Sequence, residues 1–428
     1  MTAIAVAGRL YQLGKIKRIL IIAPLSVLGV WQEEMQKYAD YDYTLAVLNQ
    51  SSTPKKVDVL RHLTGSVLQV AVVNYDSLRL MTDSIISWNP DLVICDEGHR
   101  LKNHASQQSK SATKISKSAK YCLLLTGTLI SNHAEDVYGI YRTLNPAVFG
   151  NVGYYAWRAK YFDSYGYGNF QFRLKKSMEE EFLRKVHSVA FRATKAQCLS
   201  LPPTVEIVRN VELEGKTEKL YRQIVKESYA EISGGEITTA NVLSKLLRLS
   251  QITGGFLTND DDGNTESVST AKLNALEDIL DDAMNENRKV VIIARFTPEI
   301  EAICKLLEKK KISYSRVDGK VKDRATEVEK FQNNPDISAF VGQIQVAGLG
   351  LTLTASSLMI LYSLDYSVAN HSQTLARIHR SGQTQTCSYY YLIAKNTVDE
   401  KIFRSLKQKE DFSKRMIDDF RKGINALD

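Results

Sequence analysis

Short apolar runs that alternate with helical patterns are the feature that most restricts the fold of this chain. The runs in the first half of the sequence cover residues 18–23, 69–74, 91–95 and 122–125. Those in the second half cover residues 289–294, 340–343, 357–362 and 389–394. Strands that are apolar throughout and separated by helices are typical of parallel sheets with both faces covered. The sequence therefore predicts an α/β fold.

The spacing of these runs divides the 428 residues into two α/β regions. We expect the first region at 1–200, with an insertion at about 145–195 where aromatic and charged residues replace the apolar runs. Within the insertion, the Tyr- and Gly-rich stretch 161–172 predicts irregular structure. A helical linker or protrusion is expected at 201–266, because a Pro pair at 202–203 interrupts regular structure. The second region is expected at 267–428, ending in a charged helix.

Composition excludes some classes of protein and weakly favours one class of partner. There is no run of eighteen apolar residues and no basic segment before the apolar N-terminus, so we expect no membrane span and a cytoplasmic location. The five cysteines are widely spaced without a Cys-x-x-Cys pair, which predicts neither a disulfide framework nor a zinc site. The formal net charge of +8 weakly favours a polyanion such as nucleic acid.

Asp96-Glu97-Gly98-His99 directly follows the apolar run 91–95. Two adjacent carboxylates at the end of a buried strand are costly unless their charge is compensated. One interpretation is that Asp96 holds Mg²⁺ together with phosphate oxygens, while Glu97 deprotonates an attacking water. The other is an ordinary boundary between a strand and a loop, with two solvated acids. These four residues alone do not favour either interpretation.

Leu125-Thr126-Gly127-Thr128 closes the next apolar run, and Asn132 follows it. Small hydroxyl residues around a glycine at the end of a strand can contact phosphate-bound water or transmit movement between lobes. An ordinary turn explains the same pattern, and by itself it is the simpler explanation.

The segment 347–353 joins an apolar run to a helical pattern and contains Ala347, Gly348, Gly350 and Thr352. Glycines allow close approach of the backbone, so exposed amides here could contact phosphate groups of a nucleotide or a nucleic acid. A turn that binds no ligand remains the alternative.

Gln373 begins a segment that contains Arg377 and Arg380. Residues three apart on a helix share a face, and two guanidiniums on one face repel each other unless an anion lies between them. Such a pair suits nucleotide phosphates, where arginine stabilises developing charge. A solvated basic helix face is the alternative. The spacings of His99, His133 and His379 do not match those of metal ligands, so we expect structural or hydrogen-bonding roles for them.

Taken in order, these segments resemble the Swi/Snf family of helicase superfamily two, which are DNA-dependent ATPases. Each match alone is weak, but their order and spacing together are specific. The resemblance implies two RecA-like parallel-sheet lobes with helical insertions between them. The segments that carry it are 22–28 with Trp31, 96–103, 125–128 with Asn132, 192–195 with 201–203, 347–351, and 373–383.

The resemblance also implies ATP and Mg²⁺ as cofactors and double-stranded DNA as partner. Asp96 would hold the metal, Glu97 would activate water, and Arg377 and Arg380 would reach the nucleotide phosphates. Nucleotide contacts are further expected at Gln373 and Gly350. The residues expected to contact DNA, or to couple it to ATP, are Pro24, Thr126, Gly127, Thr128, Asn132, Ala347, Gly348 and Thr352. Recruiting proteins are not predicted, and the chain is expected to be of the bacterial or phage type.

Three departures from the family pattern affect these expectations. Gly98 replaces the usual Ala, which we expect to loosen the loop slightly, and Leu129 replaces a common Pro. No Gly-x-x-x-x-Gly-Lys-[Ser/Thr] segment occurs, and Met1 matches the position just after that P-loop. We therefore expect a double-stranded-DNA translocase whose P-loop precedes Met1. The alternatives are a DNA-binding module without ATPase activity and a non-functional fragment.

Overall fold

The computed structural model describes residues 1–127, 129, 133–165, 171–191, 193, 198–233, 239–259, 263–321, 323–347 and 351–408. These residues form two compact units, one within Met1–Arg192 and the other within Ala193–Phe412. Each unit contains a parallel sheet flanked by helices, so the predicted α/β architecture is confirmed. Among the described residues, no helix is both long enough and apolar enough to cross a membrane.

The first unit contains a sheet of five parallel strands in the order β2-β3-β1-β4-β5. Every residue of β3 is buried, as expected for a strand covered on both faces. The sheet strands are β1 (Arg18–Ala23), β2 (Tyr43–Val47), β3 (Leu68–Asn74), β4 (Leu92–Asp96) and β5 (Tyr121–Leu125). The helices of this unit are α1 (Thr2–Gln12), α2 (Leu28–Tyr38), α3 (Thr53–His62), α4 (Leu78–Trp88), α5 (Gln107–Ser118), α6 (Asp136–Leu144), α7 (Tyr154–Tyr161) and α8 (Glu179–His187).

The second unit contains a sheet of six parallel strands in the order β12-β13-β11-β14-β15-β8. All residues of its central strand β11 are buried. The sheet strands are β8 (Thr204–Val211), β11 (Val290–Ala294), β12 (Tyr314–Val317), β13 (Ala339–Gln343), β14 (Leu358–Leu361) and β15 (Cys387–Ala394), and a hairpin is formed by β9 (Phe256–Thr258) and β10 (Thr265–Ser267). The helices are α9 (Gly215–Ser233), α10 (Thr239–Thr253), α11 (Ala271–Asn285), α12 (Thr297–Lys309), α13 (Arg324–Asn333), α14 (Ile344–Ala347) and α15 (Val368–Leu375), followed by a helix that includes residues 398–408.

The prediction of irregular structure at 161–172 is wrong for the residues that the structure describes there. Phe162–Tyr165 forms strand β6, which pairs in antiparallel fashion with strand β7, Gln171–Leu174. Phe162 and Leu174 lie opposite each other and pack into an aromatic core, whereas Asp163 and Arg173 are exposed. This alternation of inward and outward side chains stabilises a short hairpin.

The segment 201–266, predicted as a helical linker or protrusion, instead begins with a strand, β8, at Thr204–Val211. Its β-branched residues suit extended backbone, and it pairs with β15 along its whole length. Seven of its eight side chains are not fully buried, because β8 is an edge strand. The predicted helices follow it as α9 and α10. The domain boundaries at 200 and 266 stay predictions.

A buried polar cluster joins the helices of the second unit to its sheet. Lys272 Nζ lies 2.6 Å from Asp399 Oδ2 and donates a hydrogen bond to the Tyr362 carbonyl at 3.0 Å. Thr253 donates to the other oxygen of Asp399 at 2.8 Å. Because both partners of the ion pair are almost fully buried, loss of either one would leave an uncompensated charge in the core.

Glu299, in the first turn of α12, is a second buried acid in this unit. Its Oε2 accepts hydrogen bonds from the backbone amides of Arg295 and Phe296 and from the hydroxyl of Ser363. Its Oε1 is buried without a hydrogen-bond partner among the described residues. Burial raises the pKa of Glu299 to about 7, although the Ser363 hydrogen bond and the Lys272 charge act in the opposite direction.

We predict that Glu299 makes the unfolding free energy fall as the pH rises from about 4.5 to 7. The folded pKa lies above the ordinary value, so in this window the folded chain keeps a proton that the unfolded chain has released. Glu299→Gln removes this dependence. The unfolding free energy of the variant minus that of the wild type should therefore rise by roughly 3 kcal/mol from pH 4 to pH 8. Urea unfolding at several pH values measures the difference.

The matched control is Glu301→Gln on the same helix. Glu301 is partly exposed, and its hydrogen bond with Lys320 lowers its pKa, so this variant should show no gain with rising pH. Equal pH profiles for wild type and Glu299→Gln would contradict the prediction.

Candidate active site

The carboxyl ends of β1, β3, β4 and β5 meet at one edge of the first sheet. The register places Ile22 opposite Cys95 and Asp96 opposite Leu125. The residues that follow these strands therefore lie along the same edge, and they include Pro24, Tyr75, Asp96 and Thr126. In parallel α/β sheets this edge is where ligands bind. The fold thus brings together three residues that the sequence singled out from separate segments, and adds Tyr75.

Asp96 is fixed on both sides of its carboxylate. Its Oδ2 accepts a hydrogen bond from Trp31 Nε1 at 2.9 Å, and its Oδ1 accepts one from the Glu97 amide at 3.0 Å. Its backbone carbonyl accepts a bond from the Tyr75 hydroxyl at 2.7 Å. Burial raises the pKa of Asp96, with the nearby Glu97 carboxylate acting in the same direction. A cation at this position would offset that cost.

The residues present fit Mg²⁺, provided that a ligand supplies the remaining oxygen atoms. Within the described part of the chain, no group of three or more His, Cys, Asp or Glu side chains could hold a metal ion. Mg²⁺ usually takes only one or two carboxylates and completes its shell with water and substrate phosphates. The acidic pair 96–97 therefore suits Mg²⁺ bound together with a nucleotide.

Glu97 has an unusual backbone conformation for a residue with a side chain. Its φ of 51° and ψ of 48° lie in the left-handed region, immediately before the short helical turn Gly98–Leu101. Such conformations cost free energy and concentrate at functional sites. Here the conformation reverses the chain directly after β4, so that the Glu97 side chain is held close to His99.

His99 links the acidic pair to the loop after β5. Its Nδ1 lies 3.1 Å from Glu97 Oε2 and 3.3 Å from the Thr126 hydroxyl. A movement of Thr126 would therefore change the surroundings of the Glu97 carboxylate. The hydrogen-bonding role expected for His99 is present, and it connects two of the predicted segments.

Two glycines allow the loop that follows Glu97 to pack closely. A Cβ added to Gly98 would lie 2.2 Å from the Cγ of Leu124 on β5, so Gly98 does not loosen the loop, contrary to the expectation. A Cβ added to Gly139 on α6 would lie 2.3 Å from the Leu101 carbonyl oxygen and 2.4 Å from that of Lys102. The loop is therefore held between the sheet and α6.

In the second unit, Arg377 and Arg380 converge on one backbone carbonyl. Nη1 of each guanidinium lies 3.4 Å from the Leu351 oxygen, and Leu353 N donates to the Arg377 carbonyl at 3.0 Å. The helical arrangement assumed for the pair is wrong, because α15 ends at Leu375 and both arginines lie in the turns that follow. The turns, and not a helix, bring the two guanidiniums to the same side. Their contacts hold the segment that begins at Leu351 against these turns.

Gln383 holds the same turns together. Its Nε2 donates to the carbonyls of Thr354, Ser356 and Ile378, and its Oε1 accepts from the amides of Thr384 and Gln385. The sequence included Gln383 in its matching segment but gave it no role. Trp31, Tyr75 and Gln383 are the residues that sequence reasoning missed, and only Trp31 and Gln383 carried a signal, through the family resemblance.

The other predicted site residues are placed less tightly. Gln373 is half-buried on α15, Thr352 is half-buried beside Leu351, and Ala347 ends α14. Gly127 follows Thr126 at the edge of the first sheet, and nothing lies within 4 Å of a Cβ added to it. Thr128, Asn132, Gly348 and Gly350 lie outside the described residues.

Comparison with known protein families identifies both halves of the sequence. The family described as SNF2-related domain matches residues 1–254, and the helicase conserved C-terminal domain matches residues 271–382. The chain belongs to the SNF2-related domain family. The first match alone covers more than half of the chain, and the two follow the order that the motifs predicted.

Three relatives are similar to this SNF2-related chain along most of its length. An uncharacterized ATP-dependent helicase of Mycoplasma genitalium is 29% identical over 404 residues, which are 93% of this chain and 37% of the relative. The DNA repair and recombination protein RDH54 of Saccharomyces cerevisiae is 27% identical over an alignment of 438 positions, which covers 95% of this chain and 47% of the relative. The DNA repair and recombination protein RAD54-like of Gallus gallus is 25% identical, over 95% and 60%.

This chain thus spans 37–60% of the length of these curated relatives. Among solved structures, the Sulfolobus solfataricus SWI2/SNF2 ATPase core in complex with dsDNA is 24% identical, with a TM-score of 0.43, over 100% of this chain and 87% of that chain.

We predict that Gly98→Ala destabilises the first unit, because its methyl group would overlap Leu124. Overpacking of this kind costs about 1–3 kcal/mol. In a Leu124→Ala background the same substitution should cost much less, so a double-mutant cycle should give a coupling of about 1 kcal/mol or more. Thermal and urea unfolding of the four proteins measure it.

Gly29→Ala is the matched control, because nothing lies within 4 Å of a Cβ at that position on α2. This variant should be neutral or slightly stabilising, since Ala favours helix over Gly. Additive effects of Gly98→Ala and Leu124→Ala would contradict the predicted overlap.

Proposed function

We propose that this chain is the motor of an ATP-driven translocase that moves along double-stranded DNA. The observation that carries the proposal is the acidic pair 96–97 at the ligand-binding edge of a parallel sheet, in a chain whose two halves both match helicase-type families. The names of two relatives, as DNA repair and recombination proteins, support DNA as the substrate. We further propose that the protein is of the bacterial or phage type and is cytoplasmic.

In this proposal, Glu97 is the general base for hydrolysis of ATP. Its carboxylate accepts a proton from the water that attacks the γ-phosphorus, and His99 at 3.1 Å holds the carboxylate in position. Asp96 would hold Mg²⁺, which when bound neutralises charge on the phosphate oxygens. Trp31 and the Glu97 amide keep the Asp96 carboxylate in one orientation.

Arg377 and Arg380 supply positive charge to the nucleotide phosphates in this proposal, assisted by Gln373 and Gly350. The contact that the two arginines share, with the Leu351 carbonyl, is to a neutral group and is long, at 3.4 Å from each. Hydrogen bonds between a guanidinium and a phosphate are stronger than those to a neutral carbonyl. A phosphate could therefore displace this partner.

The loops that we propose to contact DNA adjoin these catalytic groups in each unit. In the first unit they contain Pro24 and Thr126–Thr128 with Asn132, and Thr126 shares His99 with Glu97. In the second we assign this role to Ala347, Gly348 and Thr352, and Thr352 directly follows Leu351, whose carbonyl the arginines contact. DNA bound at these loops would thus alter the positions of Glu97 and of the arginines, which couples binding to hydrolysis.

We predict that Glu97→Gln reduces duplex-stimulated ATP hydrolysis by roughly 10²–10⁴-fold, because the amide cannot accept the proton. Phosphate release should be measured with and without a blunt duplex, on this chain and on a version extended at its N-terminus by a Gly-Lys-Thr phosphate-binding segment. Duplex binding by the variant should be unchanged. Duplex binding without hydrolysis by either version would instead support a DNA-binding module.

We predict that Arg380→Ala reduces turnover in the hydrolysing version by roughly 10³–10⁵-fold with little change in nucleotide affinity, as for arginine fingers. The matched control is Arg209→Ala, which removes a surface arginine paired with Asp278 in the same unit. A loss of tenfold or less for Arg380→Ala would argue against its role, as would an equal loss for the control.

A further inference from the structure

The insertion of the first unit presents exposed aromatic rings, among them Tyr155, Tyr165 and Phe191, beside a core of buried ones. Trp157, Tyr161 and Phe182 are almost completely buried, so most aromatic residues of the insertion are structural. Tyr155, on the same helix α7 as Trp157, is instead 76% exposed. We call the surface formed by Tyr155, Arg158 and Phe172 the α7 face.

Arg158 is held on the α7 face by aromatic rings and not by an acid. Its guanidinium carbon lies 3.9 Å from the ring centre of Phe172, 5.1 Å from that of Tyr154 and 5.5 Å from that of Tyr155. Arg158 forms no salt bridge within the part of the chain that the structure describes. Lys160 on the same helix, in contrast, lies 2.8 Å from Glu181. Arg158 is therefore both fixed in place and available to an anion.

The segment that contributes the α7 face is rich in basic residues. Residues 154–176 contain five basic residues and one acidic residue, although Glu135 and Glu181 from outside the segment contact Tyr154 and Lys160. A positive surface with an exposed ring and a stacked guanidinium has the chemistry of single-strand nucleic-acid binding, in which bases stack on aromatic rings and phosphates contact arginine. Bases inside a duplex are stacked on each other, so they cannot present a face to Tyr155.

The α7 face is also anchored to the loop of the candidate active site. The Tyr154 ring stacks on His104, with ring centres 4.1 Å apart and an angle of 29° between the planes. The Tyr154 hydroxyl donates a hydrogen bond to Glu135 at 2.9 Å. Helix α7 is thus fixed before any ligand binds, which lowers the entropic cost of binding.

We propose that the α7 face binds single-stranded DNA, with one base stacked on Tyr155 and a neighbouring phosphate at Arg158. The inference rests on the proposed function only for DNA as the substrate, and it adds a single-strand site to a motor that moves on duplex. Such a site would engage unpaired DNA that adjoins the duplex, as at a gap, an end or a junction.

Fluorescence anisotropy with a labelled oligo-dT and with a blunt duplex of equal length tests this inference. Tyr155→Ala should weaken oligo-dT binding about tenfold, the loss expected for one stacked base, and leave duplex binding unchanged. Tyr155→Trp should restore oligo-dT binding, because indole stacks at least as well as phenol. Thermal unfolding of each variant confirms that α7 is intact.

Tyr165→Ala is the matched control. Tyr165 is also exposed, and its ring centre lies 5.8 Å from the guanidinium carbon of Arg173. The pairing of β6 with β7 puts Tyr165 on the opposite face of this hairpin from Phe172. Unchanged oligo-dT binding by Tyr155→Ala, or an equal loss for Tyr165→Ala, would overturn the inference. If no protein, including the wild type, binds the duplex, the proposed function is overturned. The effect of Tyr155→Ala on oligo-dT binding still decides the present inference in that case.

Discussion

The position of Asp96 at the carboxyl end of β4 is the constraint around which the first unit is organised. A carboxylate that emerges from a fully buried strand must be hydrogen-bonded or paired with a cation. Trp31 from α2 and the Glu97 amide donate to the Asp96 carboxylate, and Tyr75, directly after β3, donates to the Asp96 backbone carbonyl. These contacts to one partly buried acid thus constrain how α2 and the end of β3 are placed against β4.

The second unit orders its candidate site by a different means. Backbone carbonyls are acceptors there: both arginines contact the Leu351 carbonyl, and Gln383 donates to the carbonyls of Thr354 and Ser356. The segment after Leu351 is thereby joined to the turns that carry the two arginines.

Sequence patterns predicted the parts of the fold that are buried and local. Strand β1 was predicted to the residue, because an entirely apolar run bounded by a basic residue and Pro24 leaves little choice. The edge strands β2 and β8 were not predicted, since their partly exposed residues lack a continuous apolar run. The contact of Trp31 with Asp96 and the convergence of Arg377 and Arg380 on Leu351 depend on tertiary packing and on where α15 ends, which periodicity does not report.

The overlap between Gly98 and Leu124 has a consequence for how this sequence can diverge. A methyl group at position 98 would collide with Leu124. Ala at position 98 is therefore tolerated best when Leu124 has already been replaced by a smaller residue. A lineage that acquires Ala at 98 before this change would pass through a destabilised intermediate. The pair thereby imposes an order on substitutions, and it should vary together when sequences of close relatives are aligned.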